Sequence, residues 1–319
     1  VTAATLDAFV LEHAPGPLAS LHPSILEARK QVNAALTDLA GIPVAALGAL
    51  WDWDGNRADV RYGFYRLLEL LEGSAAEVAR AVGGKPSTEA RDAVGAATAA
   101  RWDLHGVLAS LDEADLDADP GGGEWTVRRT LAHMNSSQRG YAWGSAWWLS
   151  ARDKPREPGP QRVPLGIFDA APEEETEADG SVANIRAHLD DLVDSTSARY
   201  ATLTADELAV KGGWSGFAVD LAFRQWRWSS HIQEHTVQVE KTLDLLERPP
   251  SEVARLIRLI ARAYGRLEAI VYFRSADELE TAADGTPAAA VIRAAAREIA
   301  LRVPTIVAAA EANVPAPDW

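Results

Sequence analysis

Apolar residues along this chain recur at intervals of three and four, the pattern of amphipathic helices, and almost nowhere in strict alternation. In the stretch 215–246, Phe217, Leu221, Trp228, Ile232, Val239, Leu243 and Leu246 fall on helical spacing. Ser215, following the breaker pair Gly212 and Gly213, is the expected N-cap of this helix. The same reading places helices at about 23–39, 58–82, 87–111, 126–150 and 181–200. A further helix starts at Ser251, and an eighth follows a turn at 283–287 and runs to about Ala310, with a kink expected near Pro304. Thr126, Ser181 and Ser251 are the expected caps. The segment 40–58 reads as a loop, with WDWDG at 51–55 a tryptophan-anchored turn. The Pro- and Glu-rich stretch 151–180 is too long for a simple hairpin and is expected to be a crossover or a pocket-covering loop.

These elements predict an all-α fold with no strand. Four helices lie between 87 and 248, and two lie on each side. A central four-helix bundle (87–248) is therefore expected, with 1–86 and 249–319 packing together as a second bundle. Pro15, Gly16 and Pro17 mark an early boundary, and the tail ending at Trp319 is expected to be frayed or docked. A weak internal echo joins GGGEWTV at 121–127 to KGGWSGF at 211–217. Both place Gly, Trp and a hydroxyl residue before a histidine-bearing helix.

Composition narrows the chemistry. With 319 residues, the length fits one large domain or two ordinary ones. The formal charge of -15 argues against a nucleic-acid partner, though a locally basic pocket can still take an anionic small molecule. There is no cysteine, which removes disulfides, thiolate ligands and cysteine nucleophiles together. No leader-like start and no run approaching the ~18 apolar residues of a membrane span is seen. A cytoplasmic protein with no membrane partner is the expectation. The 11 tryptophans are the anomaly, clustering around 51–53, 125–148 and 214–228.

His231 and His235 are four residues apart and so share one helix face, from which both reach one metal ion. His133 is the natural third ligand. Three imidazoles plus an open position suit Zn, and also Ni or Fe. Height along the bundle sets a condition. His133 lies about 10 Å past its cap at Thr126, and His231 about 24 Å past Ser215, at ~1.5 Å per residue. Parallel helices would separate them, whereas antiparallel helices bring them level. A lone histidine is more often a hydrogen-bonded, partly buried residue, and an i,i+4 pair arises by chance; His105 and His188 read as structural. HIQEH also fits an inverted zinc-protease motif with Glu234 activating water, for which Glu268, Glu280 or Glu311 would have to supply a further ligand.

GGGEWTVRRTLAHMNSSQRGY at 121–141, followed by HIQEHTVQVEKTL at 231–243, resembles the DinB-like superfamily. The resemblance covers 87–248. It implies a four-helix bundle with a crossover between its second and third helices, and a divalent metal held by His133, His231 and His235. The superfamily includes metal-dependent thiol S-transferases, mycothiol-using maleylpyruvate isomerase types and the thiol-associated domain of ergothioneine biosynthesis enzymes, and it also has members without assigned activity.

The expected activity is a metal- and low-molecular-weight-thiol-dependent transferase or isomerase acting on a small-molecule substrate. The alternatives are a metal-dependent hydrolase and a non-catalytic metal- or ligand-binding helical module; whether the chain is an enzyme stays open at this point. Of Arg128, Arg129, Arg139, Arg224 and Arg227, the last is favoured to hold a substrate carboxylate, because it shares the face of His231. Glu234 is the candidate general base, or a hydrogen-bond acceptor for a group that itself binds the metal. Trp143, Trp147 and Trp228 are the candidate pocket wall, with core packing the plainer alternative. A homodimer is the expected assembly.

Overall fold

The computed structural model describes residues 8–13, 18–83, 86–153, 162–282 and 285–312, with side chains undescribed at 8, 11 and 13. The expectations for Pro15 to Pro17 and for Trp319 fall outside these residues. In chain order the elements are α1 (Ala8–His13), α2 (Pro23–Ala40), β1 (Leu50–Trp53), β2 (Asn56–Asp59), α3 (Val60–Val82), α4 (Glu89–Leu108) and α5 (Val127–Ser150). There follow α6 (Val182–Tyr200), α7 (Ala205–Leu208), β3 (Lys211–Trp214), β4 (Phe217–Asp220), α8 (Leu221–Leu245), α9 (Glu252–Val271), α10 (Ala276–Glu280) and α11 (Ala288–Glu311). The all-α class holds, with two small strand pairs added to it. Thr126, Ser181 and Ser251 cap α5, α6 and α9 through their side-chain oxygens, and α11 runs through Pro304 as one helix.

The strand pairs correct the expectation of no strands, and the second also moves a cap. In each, two residues with positive φ close the turn: Asp54 (49°) and Gly55 (81°), then Ser215 (48°) and Gly216 (86°). Such a turn matches the twist of the two flanking antiparallel strands. Ser215 is thus a hairpin-turn residue and not an N-cap. The cap of α8 is Asp220, whose side chain accepts from the Phe223 N–H. Asp59 does the same for α3. Gly212 is required by close approach, since a Cβ there would fall 2.2 Å from the Trp148 ring.

The chain divides into two compact units. Unit 1 comprises Val1–Ser20, Ser87–Arg101 and Asp112–Glu247, and unit 2 comprises Leu21–Pro86, Trp102–Leu111 and Arg248–Trp319. In unit 1, Phe9 of α1 stacks on Trp143 at 4.6 Å and the Ala19 N–H donates to the Ala198 carbonyl.

Unit 1 is a ring of four helices. Arg101 of α4 bonds Asp190 and Asp194 of α6, and Ser229 of α8 donates to the Ala96 carbonyl of α4. Arg128 near the start of α5 donates to the carbonyls of Ala178 and Gly180 just before α6, while Tyr200 at the end of α6 donates to the Ala142 carbonyl. Helices α5 and α6 therefore run parallel, which a short connection cannot achieve. The crossover between them contains short 3₁₀ turns at Leu165–Ala170 and Glu174–Ala178.

In unit 2, α2, α3, α9 and α11 share an apolar core that includes Leu36, Phe64, Ile257 and Ile292. Inside it, Arg29 meets Glu268 through two bonds of 2.9 and 2.6 Å, and the Trp102 indole donates to the same carboxylate.

Candidate metal centre

His133 projects from the second turn of α5, and His231 and His235 project from successive turns of α8. Thr242 Oγ1 donates to the Trp125 carbonyl and Lys241 pairs with Glu124 just before α5, while well along α5 Gln138 donates to the Trp228 carbonyl. Rising positions on α5 thus meet falling positions on α8. The two helices are antiparallel, the orientation that levels the histidines. With the cap at Asp220, His231 lies about 16 Å into its helix.

The three rings converge. One ligand nitrogen from each can be chosen so that all lie within 4.8 Å of one another. His231 Nε2 and His235 Nε2 are 3.0 Å apart, and the His133 ring lies 5.7 and 5.1 Å from those of His231 and His235. His231 and His235 are buried, and His133 is partly exposed.

Hydrogen bonds orient two of the rings. His235 Nδ1 is 2.9 Å from Gln238 Oε1, an oxygen that only accepts, so Nδ1 carries the proton and Nε2 keeps its lone pair. His133 Nδ1 is 3.2 Å from Glu174 Oε2 on the crossover. Its Nε2 is 3.5 Å from Ser137 Oγ, too far for that hydroxyl to hold it. His231 Nδ1 is buried without a partner.

Burial pushes the His231 imidazole down to about 3, with His235, Arg227 and His133 adding to the shift. Burial also lowers His235, partly offset by the Gln238 bond. Both rings are neutral at pH 7, the form that binds a metal. Two Nε2 atoms 3.0 Å apart, one an acceptor, are joined either by an N–H of neutral His231 donating to His235 or by a cation between them. This donor set fits a divalent ion.

A cavity of about 630 Å³ has a wall including Ser137, Tyr141, Phe168, Trp214 and Arg224; none of the three histidines is in its lining. Two of these also touch the rings. Ser137 approaches His133, and the Tyr141 ring lies edge-on to His231 at 5.3 Å. Gly140 and Gly144 stand beside Ser137 and Tyr141 on one face of α5 and line the cavity with them. Glycines inside a helix were a usable sequence signal. The bonds of Glu174 and Gln238 to the histidines had no comparable signal.

The remaining candidates are dispersed. Arg227 and Glu234 form a two-bond ion pair of 2.7 and 2.6 Å, so each occupies the other. That bond holds the Glu234 carboxyl below its ordinary value, which makes it a weaker base. Trp143 stacks on Phe9, Trp228 lies edge-on to Tyr200, and Trp147 is half-buried; none of the three is among the cavity-lining residues. His188 bonds Glu177, and His105 is buried against Trp102, both as structural residues. Glu268 and Glu280, considered for the protease motif, pair with Arg29 and Arg293 in unit 2. No helix among the described residues is long and apolar enough to cross a membrane.

The sequence profile of the DinB superfamily matches residues 96–239, a span that holds all three histidines. No curated protein and no solved structure matches the chain significantly.

Proposed function

With residues 96–239 belonging to the DinB superfamily, we propose that His133, His231 and His235 hold one divalent metal ion and that the chain acts on a small molecule in the adjoining cavity. The observation that carries this reading is the convergence of three imidazoles from two antiparallel helices beside a cavity large enough for a ligand. Zinc suits three imidazoles with an open position, and nickel or iron accepts the same donors. When bound, such an ion acidifies a small-molecule thiol or water and so supplies a nucleophile at neutral pH.

The chain lacks cysteine. A thiol at this centre therefore comes from a low-molecular-weight cofactor, which makes a thiol-dependent transferase or isomerase the preferred activity. The chain's own residues orient and enclose. Glu174 and Gln238 fix two imidazole rings, and Arg227 adds to the burial that keeps His231 neutral. Tyr141 closes the side between His231 and the cavity.

The test is elemental analysis of protein purified without affinity tag or added metal. About one ion per chain is expected, falling at least tenfold in His133→Ala and in His231→Ala. Metal-free protein whose zinc affinity is indifferent to both substitutions would overturn the reading. A panel of thiols, mycothiol among them, with electrophilic substrates then tests the transferase or isomerase activity.

A further inference from the structure

Arg224 is the least compensated charge beside the candidate centre. Only 6% of its surface is exposed, and its Nε–H is buried with no hydrogen-bond partner. The Tyr141 and Trp148 rings each lie 4.9 Å from its guanidinium carbon, so aromatic surface takes the place of solvent around the ion. Arg224 is one of the residues that line the cavity. Among the described residues no carboxylate pairs with it, in contrast to Arg227 one turn later. Burial lowers its pKa to about 10, as expected for a cation stripped of water without a counter-charge.

The cavity is built to the same sign. In a chain of net charge -15, its described lining contains two arginines, Arg162 and Arg224, and neither Asp nor Glu. The rest of the wall is largely aromatic, aliphatic or glycine. A buried guanidinium without a partner costs several kcal/mol. One planar guanidinium edge matches the two oxygens of one carboxylate.

We propose that the cavity binds an organic carboxylate with a flat, unsaturated or aromatic body, its carboxylate on Arg224 and its body against Tyr141, Phe168 and Trp214. As a statement about the substrate of the metal centre this rests on the function proposed above; as an anion site it stands by itself. It moves the carboxylate-holding role from Arg227 to Arg224.

The test uses full-length protein with benzoate as the probe and benzamide as its neutral isostere, titrated calorimetrically with zinc present and again after chelation. Benzoate is expected to bind at least about tenfold tighter than benzamide under both conditions. Arg224→Gln is expected to remove that preference while leaving zinc content unchanged, and Arg224→Lys to keep part of it. Equal binding of benzoate and benzamide by the unaltered protein would overturn the proposal, and this comparison decides even if Arg224→Gln does not fold. Benzoate binding that vanishes on chelation and ignores Arg224→Gln would also overturn it, by placing the carboxylate on the metal. An Arg224-dependent preference in protein that takes up no zinc would support the anion site and defeat the metal reading, so the two failures are distinguishable.

Discussion

At the scale of single residues, two of the three histidines are oriented by groups outside the triad. Gln238 and Glu174 each hold the Nδ1 side of a histidine, leaving Nε2 to face inward. Removing such a partner lets the ring rotate or change tautomer, a loss of typically 10- to 100-fold in metal affinity, here taken as roughly that range. Gln238→Leu and Glu174→Gln are therefore expected to weaken zinc binding by about 10-fold or more in a competition titration against a chelator, with helix content unchanged. Full affinity in both variants would mean the rings are held by packing alone. The His231–His235 pair was legible, because i,i+4 spacing is a property of one helix; its height along α8 was not, because the cap is Asp220 and not Ser215. The choice of Arg224 over Arg227 was not. Both sit on α8, and what separates them is that Glu234 reaches Arg227, whereas among the described residues the Tyr141 and Trp148 rings, and no carboxylate, flank Arg224.

At the scale of elements, the crossover between α5 and α6 supplies Glu174 to the centre and is anchored by Glu177. That carboxylate is buried and takes two bonds from Arg139 on α5 and one from His188 on α6, and the Glu177 carbonyl accepts from Asn135. Burial raises its pKa, but the bonds from His188 and Arg139 more than offset that and hold it below the ordinary carboxylate value. A lowered folded-state pKa contributes stability that is present above the unfolded value and is lost as pH falls through the folded one. Glu177→Gln is therefore expected to cost about 1–3 kcal/mol at pH 7 by urea denaturation, with the difference from the unaltered protein shrinking toward pH 3. A cost that stays constant with pH would exclude the ionised carboxylate as its source. Caps and helices were readable from Thr126, Ser181 and Ser251. The hairpins were not, because strands of four residues such as Lys211–Trp214 carry no alternation of apolar and polar residues, and their turn is made by backbone at Ser215 and Gly216.

At the scale of the whole molecule, one local device recurs in both units while the three histidines lie in one of them. Trp53-Asp-Gly in unit 2 and Trp214-Ser-Gly in unit 1 each close a hairpin, and each hairpin ends in an aspartate that caps a long helix. The internal echo is therefore a hairpin-and-cap repeat at 53–59 and 214–220, and the stretch at 121–127 has no part in it. Counting from the two caps, the positions of His231, His235 and Arg224 on α8 are filled on α3 by Leu70, Ser74 and Gly63. The geometry of the device is shared, and the ligands are not. Unit 2 is instead organised around the buried Arg29–Glu268 pair and the Trp102 indole. Metal binding stabilises the structure that contains the site, by about 2.7 kcal/mol at a hundredfold excess over Kd. Hydrogen exchange reads that gain element by element. Zinc is expected to slow amide exchange in α5 and α8 around His133, His231 and His235, and to leave the amides of α2 and α9 around Arg29 and Glu268 unchanged. Uniform slowing across both units would show that the ion acts on the molecule as one cooperative block. No slowing in α5 and α8 at saturating zinc would place any bound metal away from the three histidines.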